Sequence, residues 1–267
     1  MNYKKYKRLL IAEIGSVHDG SIGNAIKAID LAKKCGADVV KFQTHDADSE
    51  TTKLAPNPKY FNSESRYEYF KRTSFDLHQW KKLRNYAKNK KILFSSSPFS
   101  LKSLKLLAKI KIDFIKVASG EVTNIDLLKK ISQLKIPIIL STGMSSWQDI
   151  DNAFKILNTN NNLTIMQCSS MYPCPAENTG LNILSEIKKR YPVNLGFSDH
   201  TTGIAASIAA ATMGANIIEK HLTFSKQMYG SDAYNALEPT EFKYLSDSLK
   251  FIWRAIDNPV NKDDLKP

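Results

Sequence analysis

Short apolar runs alternate with amphipathic stretches along almost the whole chain. Runs that are apolar throughout and separated by helix-like segments are typical of parallel strands covered on both faces. Eight such strands are predicted, over Leu9–Ile14, Asp38–Phe42, Ile92–Ser96, Phe114–Val117, Ile136–Leu140, Leu163–Gln167, Asn194–Phe197 and Asn216–Glu219. The predicted helices span Ile22–Lys34, Asp76–Asn89, Ser100–Lys109, Ile125–Leu134, Ser146–Leu157, Leu181–Arg190, Gly203–Met213 and Pro239–Ile256.

Eight strand–helix units in roughly 250 residues match a (β/α)8 barrel, the TIM barrel. We therefore predict an α/β protein in which residues 1–267 form one domain with the barrel over about 9–256. A doubly wound open sheet is the alternative. It is disfavoured because Gly15 and Gly20 do not form the G-x-G-x-x-G pattern with which such sheets bind dinucleotides.

The longest irregular stretch is Thr44–Thr73, between the second and third strands, and it contains Pro56 and Pro58. Long loops that follow barrel strands commonly close over a substrate. We expect this stretch to be a substrate lid rather than a disordered insert. Its aromatic cluster is Tyr60, Phe61, Tyr67, Tyr69 and Phe70.

A net charge of +12 first suggests a nucleic-acid partner. The lysines are spread over helix-like segments, however, and the sequence contains no arginine-rich stripe, zinc-finger spacing or RNA-binding signature. We therefore expect no nucleic-acid partner, only mild attraction for small anions. No apolar run approaches the roughly 20 residues that span a membrane, so no membrane association is predicted.

The start of the chain, Met1–Arg8, is predicted to lead into a strand rather than a signal peptide, because Glu13 interrupts the apolar run that follows. Cys35, Cys168 and Cys174 are too few and too scattered for a disulfide framework, so a reducing cytoplasm is expected. Cys168 is interpreted as a small core residue rather than a nucleophile.

Catalysis in a barrel of this kind takes place at the carboxyl ends of the strands. All eight predicted strands end in or next to polar residues. Lys41 and Lys116 lie within otherwise apolar strands, where an uncompensated ammonium costs on the order of several kcal/mol. We expect an anionic ligand to compensate them, and an internal salt bridge with Glu13 or Glu121 is the alternative.

Serines and glycines follow several of the same strands, in Ser119-Gly120, Ser141-Thr142-Gly143 and at Ser198. Hydroxyls and closely approaching backbone N–H groups of this kind bind phosphate or carboxylate oxygens. Each serine taken singly is at least as typical of a helix N-cap. The group as a whole indicates an anion site.

His200 and His221 close the seventh and eighth strands, which are neighbours in a closed barrel. Two imidazoles side by side at one rim predict a divalent metal site, although a lone histidine is more often structural. Carboxylates at the same end for ligation or proton transfer are Glu13, Glu121, Asp199, Glu219 and Asp232.

Taken in order, these segments resemble the sialic acid (N-acetylneuraminate) synthase family, enzymes that condense phosphoenolpyruvate with an amino sugar into nine-carbon acidic sugars. Each matching motif is short, but eight in the same order, between Leu9 and Phe242, make the resemblance specific. The motifs are Ile11-Ala12-Glu13-Ile14-Gly15 with His18-Asp19-Gly20, Val40-Lys41-Phe42-Gln43-Thr44-His45, Ser96-Ser97-Pro98-Phe99, Lys116-Val117-Ala118-Ser119-Gly120-Glu121, Leu140-Ser141-Thr142-Gly143-Met144, Cys168-Ser169-Ser170-Met171-Tyr172-Pro173, Gly196-Phe197-Ser198-Asp199-His200 and Glu219-Lys220-His221-Leu222-Thr223.

The resemblance implies a role for each matching residue, although Ser97 and Ser170 stand where the family usually has Thr and Asn. Phosphoenolpyruvate would be bound by Lys41, Gln43, Ser97, Lys116, Ser119, Ser141, Ser170 and Ser198. The catalytic residues would be Glu13, Lys41, Lys116 and Glu121, and the acceptor sugar would contact Glu13, Tyr172, Glu219 and Asp232. His200 and His221 would bind the metal, Mn²⁺ as commonly in the family, with Mg²⁺ or Co²⁺ as alternatives.

Two departures from the family pattern concern the acceptor. Typical members end in a small antifreeze-protein-like domain that places an arginine on the acceptor's acyl group. This chain stops at Pro267, so we predict that the domain is absent or is supplied by a separate polypeptide. The family's Gly-Pro-Asp-His-x-x-Ser-Leu-Glu-Pro pattern reads Gly230-Ser231-Asp232-Ala233-Tyr234-Asn235-Ala236-Leu237-Glu238-Pro239 here. We expect the donor chemistry to be kept and the acceptor to be replaced or held differently.

The predicted function is metal-dependent condensation of phosphoenolpyruvate with an aldose, N-acetylmannosamine or a related amino sugar, by a homodimeric transferase. The products would be a nonulosonic (sialic-acid-like) acid and phosphate. The alternatives are a synthase that uses another aldose and a non-catalytic barrel that serves as a binding or scaffold subunit. Retention of the paired lysines, the paired histidines and two carboxylates favours catalysis, because a non-catalytic barrel gains little from charge in its interior.

Overall fold

In the computed structural model, which describes residues 8–57, 64–159, 163–230 and 232–263, parallel strands form a closed barrel. Eight strands follow one another around it in sequence order, and the last pairs with the first. They are β1 (Leu9–Gly15), β2 (Val39–Thr44), β3 (Leu93–Pro98), β4 (Phe114–Val117), β5 (Ile138–Ser141), β6 (Leu163–Cys168), β7 (Asn194–Asp199) and β8 (Ile217–His221). The predicted (β/α)8 barrel is confirmed, and the open-sheet alternative is wrong.

Most strands extend further towards their carboxyl ends than the apolar runs predicted. β3 continues to Pro98, β7 to Asp199 and β8 to His221. An apolar run stops at the first polar side chain, but backbone pairing between neighbouring strands continues past that point. Polar residues of the sequence motifs such as Ser97, Ser198 and His221 therefore belong to the strands themselves.

Helices surround the barrel, and within the described residues they match the predicted ones closely. They are α1 (Ile22–Lys34), α2 (Ala47–Glu50), α3 (Arg66–Thr73), α4 (Leu77–Asn89), α5 (Leu101–Ile110), α6 (Ile125–Ser132), α7 (Trp147–Leu157), α8 (Ile183–Arg190), α9 (Ala205–Thr212) and α10 (Pro239–Asp257). Three predicted helix starts, Asp76, Ser100 and Ser146, are N-caps whose side chains accept the backbone N–H three residues later.

The stretch between β2 and β3 is more regular than predicted. It contains α2 and α3, and α3 begins after Ser65, whose side chain accepts the backbone N–H of Glu68. This cap lies among aromatic residues, and the sequence interpretation passed over it. Of the predicted lid residues, Tyr67, Tyr69 and Phe70 lie on α3, whereas Pro58, Tyr60 and Phe61 fall outside the described residues.

The barrel interior is apolar only near the amino ends of the strands. The inward side chains there are Leu9, Ile11, Val39, Phe114, Ile139, Met166 and Ile217, with Leu93 packed against them. Outward side chains such as Leu10, Phe42 and Leu140 join a larger cluster that includes residues of the helices. Because side chains alternate along a strand, the inward positions beyond this apolar layer fall at the carboxyl ends.

No helix within the described ranges is long and apolar enough to cross a lipid bilayer. Met1–Lys7, which include most of the segment considered as a signal peptide, fall outside the described residues. Cys35, Cys168 and Cys174 are buried free thiols, as expected for a chain without a disulfide framework.

Candidate active site

Strand alternation brings the polar residues of the motifs together at the carboxyl end of the barrel. Two positions beyond the inward apolar layer, each strand carries a polar or reactive side chain. These residues are Glu13, Lys41, Ser95, Lys116, Ser141, Cys168, Ser198 and Glu219, and every one is less than 5% exposed. Glu13 is opposite Lys41 in the pairing of β1 with β2, and Ser198 is opposite Glu219 in the pairing of β7 with β8.

Two lysines and two carboxylates pair inside this ring. Lys41 Nζ lies 2.5 Å from Glu13 Oε2, and Lys116 Nζ lies 2.8 Å from Glu219 Oε1. The same oxygen of Glu219 is 3.8 Å from Lys41 Nζ and accepts a hydrogen bond from Ser198 Oγ at 3.1 Å.

The pairing decides which charges persist in this buried position. Burial disfavours the Lys41 ammonium, but Glu13 and Glu219 outweigh it and raise the pKa of Lys41. Burial also disfavours the Glu219 carboxylate, but Lys116 and Lys41 lower the pKa of Glu219 below its usual range. Lys41 and Glu219 are therefore held in their charged forms.

The salt-bridge alternative from the sequence is right for Lys41 and names the wrong partner for Lys116. The chain leaves the barrel wall after Val117, so Glu121 lies in a short 3-10 helix where its Oε2 accepts a hydrogen bond from Asn124 Nδ2 at 2.8 Å. Burial raises the pKa of Glu121. Closeness in sequence to Lys116 suggested a pair, but the carboxylate that reaches Lys116 is Glu219, from the opposite strand β8.

Small polar groups converge where β4, β5 and β6 end. Ser119 Oγ accepts the backbone N–H of Gly143 at 3.0 Å and lies 3.1 Å from Cys168 Sγ. A Cβ atom at Gly143 would come within 2.7 Å of both Cys168 Sγ and Ser170 Oγ, so glycine keeps this space open. Ser141 Oγ, two residues earlier, is buried with no hydrogen-bond partner among the described residues. These residues form a cradle that fits the oxygens of an anionic ligand. The cradle consists of Ser119, Ser141, Gly143, Cys168 and Ser170.

Cys168 is a small buried residue, as the sequence suggested, and is 4% exposed. Met166 fills the apolar layer on β6, so the next inward residue, Cys168, carries its thiol into the cradle. Its hydroxyl neighbour Ser119 was not foreseen, because apolar character alone does not reveal depth along a strand.

Asp199, expected among the carboxylates of the site, points away from it. Its Oδ1 lies 3.1 Å from Lys220 Nζ, and both side chains are fully buried. Ser207 Oγ on α9 donates to Asp199 Oδ2 at 2.6 Å. Alternation explains the error: since Ser198 and His200 face inwards, the residue between them faces the helices.

His200 and His221 lie side by side, with ring centroids 5.8 Å apart. His200 Nδ1 is 2.6 Å from the carbonyl oxygen of Ser169, so Nδ1 carries the proton and Nε2 presents its lone pair, 3.1 Å from Tyr172 Oη. Burial, with His221 nearby, lowers the pKa of His200 to about 4. The ring is therefore neutral at physiological pH, as a metal ligand must be.

This donor set fits a metal centre to which the protein contributes two ligands. His221 Nδ1 is buried and has no hydrogen-bond partner among the described residues. No group of three or more His, Cys, Asp or Glu side chains able to hold a metal occurs in the part of the chain that the structure describes. An ion bound between the imidazoles would take its other ligands from substrate or water, as catalytic metal centres do.

The predicted acceptor residues share the same opening. The Tyr172 ring lies against His200, with centroids 4.2 Å apart, and is 46% exposed. Asp232 Oδ2 accepts the backbone N–H of Ser16 at 3.1 Å. The same oxygen comes within 2.1 Å of where a Cβ on Gly15 would be, and Gly15 has a φ of +53°, so a glycine is required there. The loop after β8 is thus folded onto the end of β1.

Ala233 and Ala236, which differ from the family pattern in this loop, are 0% and 1% exposed. They pack inside the protein and present no surface to solvent in the barrel opening. Asn235 between them is also buried, and its Oδ1 has no hydrogen-bond partner among the described residues.

Sequence reasoning missed His45, which directly follows β2 and contacts Gln43. Gln43 Nε2 donates to Glu13 Oε1 at 3.0 Å, and Gln43 is opposite the buried Ser97 in the pairing of β2 with β3. The other end of the Gln43 amide contacts His45, whose Nε2 lies 3.1 Å from Gln43 Oε1. Alternation carries the signal, because His45 follows Gln43 by two residues and lies on the same side of the chain.

Comparison with known proteins agrees with this geometry. Residues 28–261 match the model of the NeuB family. The chain is 38% identical to N,N'-diacetyllegionaminic acid synthase of Campylobacter jejuni, over 96% of this chain and 79% of the relative. It is 34% identical to N-acetylneuraminate-9-phosphate synthase of Mus musculus, over 97% and 74%. The structure superposes on N-acetylneuraminic acid (sialic acid) synthetase of Leptospira borgpetersenii with a TM-score of 0.84, 28% identity and coverage of 97% and 87%.

This chain belongs to the NeuB family. The family resemblance and the enzyme class, a transferase, are thereby confirmed. The named relatives are synthases of acidic sugars or their phosphates.

Proposed function

We propose that this NeuB-family chain condenses phosphoenolpyruvate with the aldehyde of an N-acylated amino sugar to give a nonulosonic acid and inorganic phosphate. The observation that carries the proposal is the pairing of Lys41 and Lys116 with Glu13 and Glu219, directly beyond the apolar layer of the barrel interior. Each buried ammonium keeps N–H donors beyond its carboxylate contacts, and a small ligand with more than one negative charge can accept from them.

The donor would bind along β2, β4 and β5. Lys41 and Lys116 would neutralise its carboxylate and phosphate, and the unpartnered Ser141 Oγ would donate to one of its oxygens. The hydroxyls of Ser119 and Ser170, which converge on Gly143, would contact the remaining oxygens. Gln43, Ser97 and Ser198 complete the predicted donor set.

Condensation requires two bonds to form and one to break. C3 of phosphoenolpyruvate attacks the aldehyde carbon of the acceptor, and the aldehyde oxygen takes up a proton. Water adds to C2, the cationic centre that results, and gives up a proton. The C2–O bond to phosphate then breaks, leaving a 2-keto acid. Glu13, between Gln43 and Lys41, is placed to move a proton, with Glu121 as the alternative.

We also propose that His200 and His221 bind a divalent ion, Mn²⁺ first, with Mg²⁺ or Co²⁺ as alternatives. A bound ion would polarise the acceptor's carbonyl oxygen as a Lewis acid. The chain's own part is orientation: the Ser169 carbonyl fixes the tautomer of His200, so that Nε2, which Tyr172 Oη contacts, carries the lone pair that an ion would use.

Isothermal titration with Mn²⁺ tests this metal assignment independently of turnover. We expect the wild type and His78→Ala, which removes an exposed histidine of α4, to bind the ion equally. His221→Ala should bind it at least about tenfold more weakly. Equal affinity in all three proteins, or full activity of His221→Ala without added metal, would refute the assignment.

For the acceptor we propose N-acetylmannosamine, a bacillosamine-derived diamino sugar or a shorter aldose. The names of the Campylobacter and mouse relatives support an N-acetylated amino sugar. The loop after β8, whose Asp232 contacts the backbone of Ser16, supports a difference in how the acceptor is held. The loop would act through its position, because Ala233 and Ala236 are buried and do not reach the barrel opening. The homodimer and a separate polypeptide in place of the antifreeze-like domain stay predictions from the sequence.

Release of phosphate from phosphoenolpyruvate, measured over a panel of aldoses with Mn²⁺ present, tests the function. We expect release that depends on both substrates in the wild type and is abolished in Lys41→Met. Release with no aldose present would indicate hydrolysis of phosphoenolpyruvate and contradict the condensation. No release with any of the aldoses tested would favour the non-catalytic barrel. If N-acetylmannosamine were the best acceptor, the proposal of an altered acceptor site would be wrong.

A further inference from the structure

A row of hydrogen bonds leads from α2 into the site through a histidine that the proposed reaction does not use. His45 Nδ1 lies 3.0 Å from Glu50 Oε1, and His45 Nε2 lies 3.1 Å from Gln43 Oε1. The side chains of His45 and Glu50 are each only 6% exposed. Neither residue was selected from the sequence as part of the site.

The chemistry of the partners decides which atoms in this row donate. Gln43 Nε2 faces Glu13 Oε1 at 3.0 Å, and Glu13 is the ion-pair partner of Lys41. An ionised carboxylate only accepts hydrogen bonds, so the nitrogen of the Gln43 amide must face Glu13 and its oxygen must face His45. His45 Nε2 must then donate.

The other ring nitrogen of His45, Nδ1, must also donate a hydrogen bond. Glu50 Oε1 already accepts the backbone N–H of Asp46 at 3.0 Å, as an ionised carboxylate does. His45 Nδ1, at 3.0 Å from this oxygen, must therefore donate as well. An imidazole that donates from both nitrogens carries two protons and a positive charge.

The surroundings of His45 suit a cation. Its ring lies between Phe70 of α3 and Phe99, which follows β3, with centroids 3.9 Å and 4.4 Å away and interplanar angles of 7° and 12°. The faces of aromatic rings attract positive charge. Arg66 approaches the ring of Phe70, with its guanidinium carbon 5.9 Å from the centroid.

Other titratable groups near His45 leave Glu50 as its main charged partner. Asp46 is paired with Lys102 of α5 at 2.8 Å. Burial, followed by the nearby His45, lowers the pKa of His18 to about 4, so His18 adds no positive charge. Burial raises the pKa of Glu121, and the nearby Glu50 carboxylate raises it further.

We propose that His45 is a positioning residue, an imidazolium that fixes the Gln43 amide and so aims the Glu13 carboxylate at Lys41. Its kinetic consequence rests on the proposed function, but its charge state does not. Opposite charges then alternate from α2 across the barrel, in the order Glu50, His45, Glu13, Lys41, Glu219 and Lys116.

Side-chain nitrogen NMR of the ¹⁵N-histidine-labelled protein at neutral pH tests the charge state without any substrate. The chain has 5 histidines, and loss of one signal in His45→Phe assigns His45. We expect both ring nitrogens of His45 to carry protons in the wild type. One protonated and one bare nitrogen would overturn the proposal, whether or not the enzyme turns over phosphoenolpyruvate.

His45→Phe also tests the positioning role, because phenylalanine keeps an aromatic ring between Phe70 and Phe99 but has no N–H donor. We expect kcat to fall at least about tenfold, with the KM for phosphoenolpyruvate less affected. His78→Phe, at an exposed position, should leave both constants unchanged. Far-ultraviolet circular dichroism and thermal denaturation separate this loss from unfolding, and His45→Gln, which keeps a donor, should recover part of kcat. A folded His45→Phe with wild-type kcat would overturn the positioning role.

Discussion

Lys116 on β4 and Glu219 on β8 belong to opposite sides of the barrel, and Lys116 Nζ meets Glu219 Oε1 across the interior at 2.8 Å. The two residues are 103 positions apart in sequence, and their side chains are 4% and 6% exposed. A buried ammonium with one carboxylate partner keeps further N–H donors for a ligand. The pair thus holds a positive group in the site before any anion arrives.

Lys116→Met should remove most of the response to phosphoenolpyruvate while leaving the fold intact, since Glu219 keeps Lys41 as a neighbour at 3.8 Å. A ligand at about 100 times its Kd stabilises a protein by roughly 2.7 kcal/mol. We expect a rise in melting temperature with phosphoenolpyruvate and Mn²⁺ in the wild type and in Lys129→Met, an exposed-lysine control on α6. An equal rise in Lys116→Met would show that this lysine does not bind the donor.

Gly143→Ala tests the cradle. The added Cβ would lie 2.7 Å from Cys168 Sγ and Ser170 Oγ, so the methyl group fills the space proposed for ligand oxygens. Overpacking of this kind costs about 1–3 kcal/mol, and we expect the affinity for phosphoenolpyruvate to fall at least about tenfold. Gly203→Ala is the matched control, because a Cβ there meets nothing within 4 Å. Equal affinities in the two variants would place the ligand elsewhere.

Lys220→Met tests the ion pair behind the site. Lys220 and Asp199 are both 0% exposed, so removal of the lysine leaves a buried carboxylate without its cation. We expect a loss of about 3–5 kcal/mol in the free energy of unfolding, measured with urea. Lys243→Met, which breaks an exposed pair with Asp247 on α10, should cost less than about 1 kcal/mol. Similar losses in the two variants would contradict the burial argument.

The positions of the strands could be predicted because runs that are apolar throughout are typical of parallel strands covered on both faces, and the carboxyl-end rule then brings the polar residues that follow them to one rim. Glu13 and Lys41 follow from these rules, and so do Ser141 and His221. Partners across the barrel could not be predicted, since the match of Lys116 with Glu219 depends on how the whole sheet closes. The N-cap of α3 at Ser65, which lies near aromatic residues in the sequence, was also missed.

The sequence itself contained the information needed to avoid two errors, the placement of Asp199 and the omission of His45. Asp199 was placed in the site because its motif neighbours belong there, yet alternation assigns it to the outer face with Lys220. His45 was passed over although it shares the side of β2 that carries Gln43. Motifs identify the residues of a site, and strand geometry decides which of them face it.

The free energy of unfolding should fall as pH decreases from about 6.5 towards 4. Burial lowers the pKa of His18 and of His200 from the ordinary 6.5 to about 4. Between these values the unfolded chain binds protons that the native protein does not, so stability present above pH 6.5 is lost on acidification. Each histidine contributes up to about 1.4 kcal/mol per pH unit.

Urea unfolding between pH 6.5 and 5, above the range in which most carboxylates titrate, measures this slope. His18→Gln should reduce it, and His78→Gln, at an exposed position, should not. A slope that is the same in the wild type and in His18→Gln would show that His18 takes up its proton in the native state.

The fate of C3 of phosphoenolpyruvate tests the carbon–carbon bond itself, which phosphate release alone cannot do. The wild type is incubated with [3-¹³C]phosphoenolpyruvate, Mn²⁺ and the preferred aldose, and the labelled carbon is followed by NMR and mass spectrometry. We predict that the label appears as a methylene bonded to the former aldehyde carbon, in a 2-keto acid that combines both substrates, with one phosphate released per product. Label found only in pyruvate, or only in unchanged phosphoenolpyruvate, would contradict the proposed condensation.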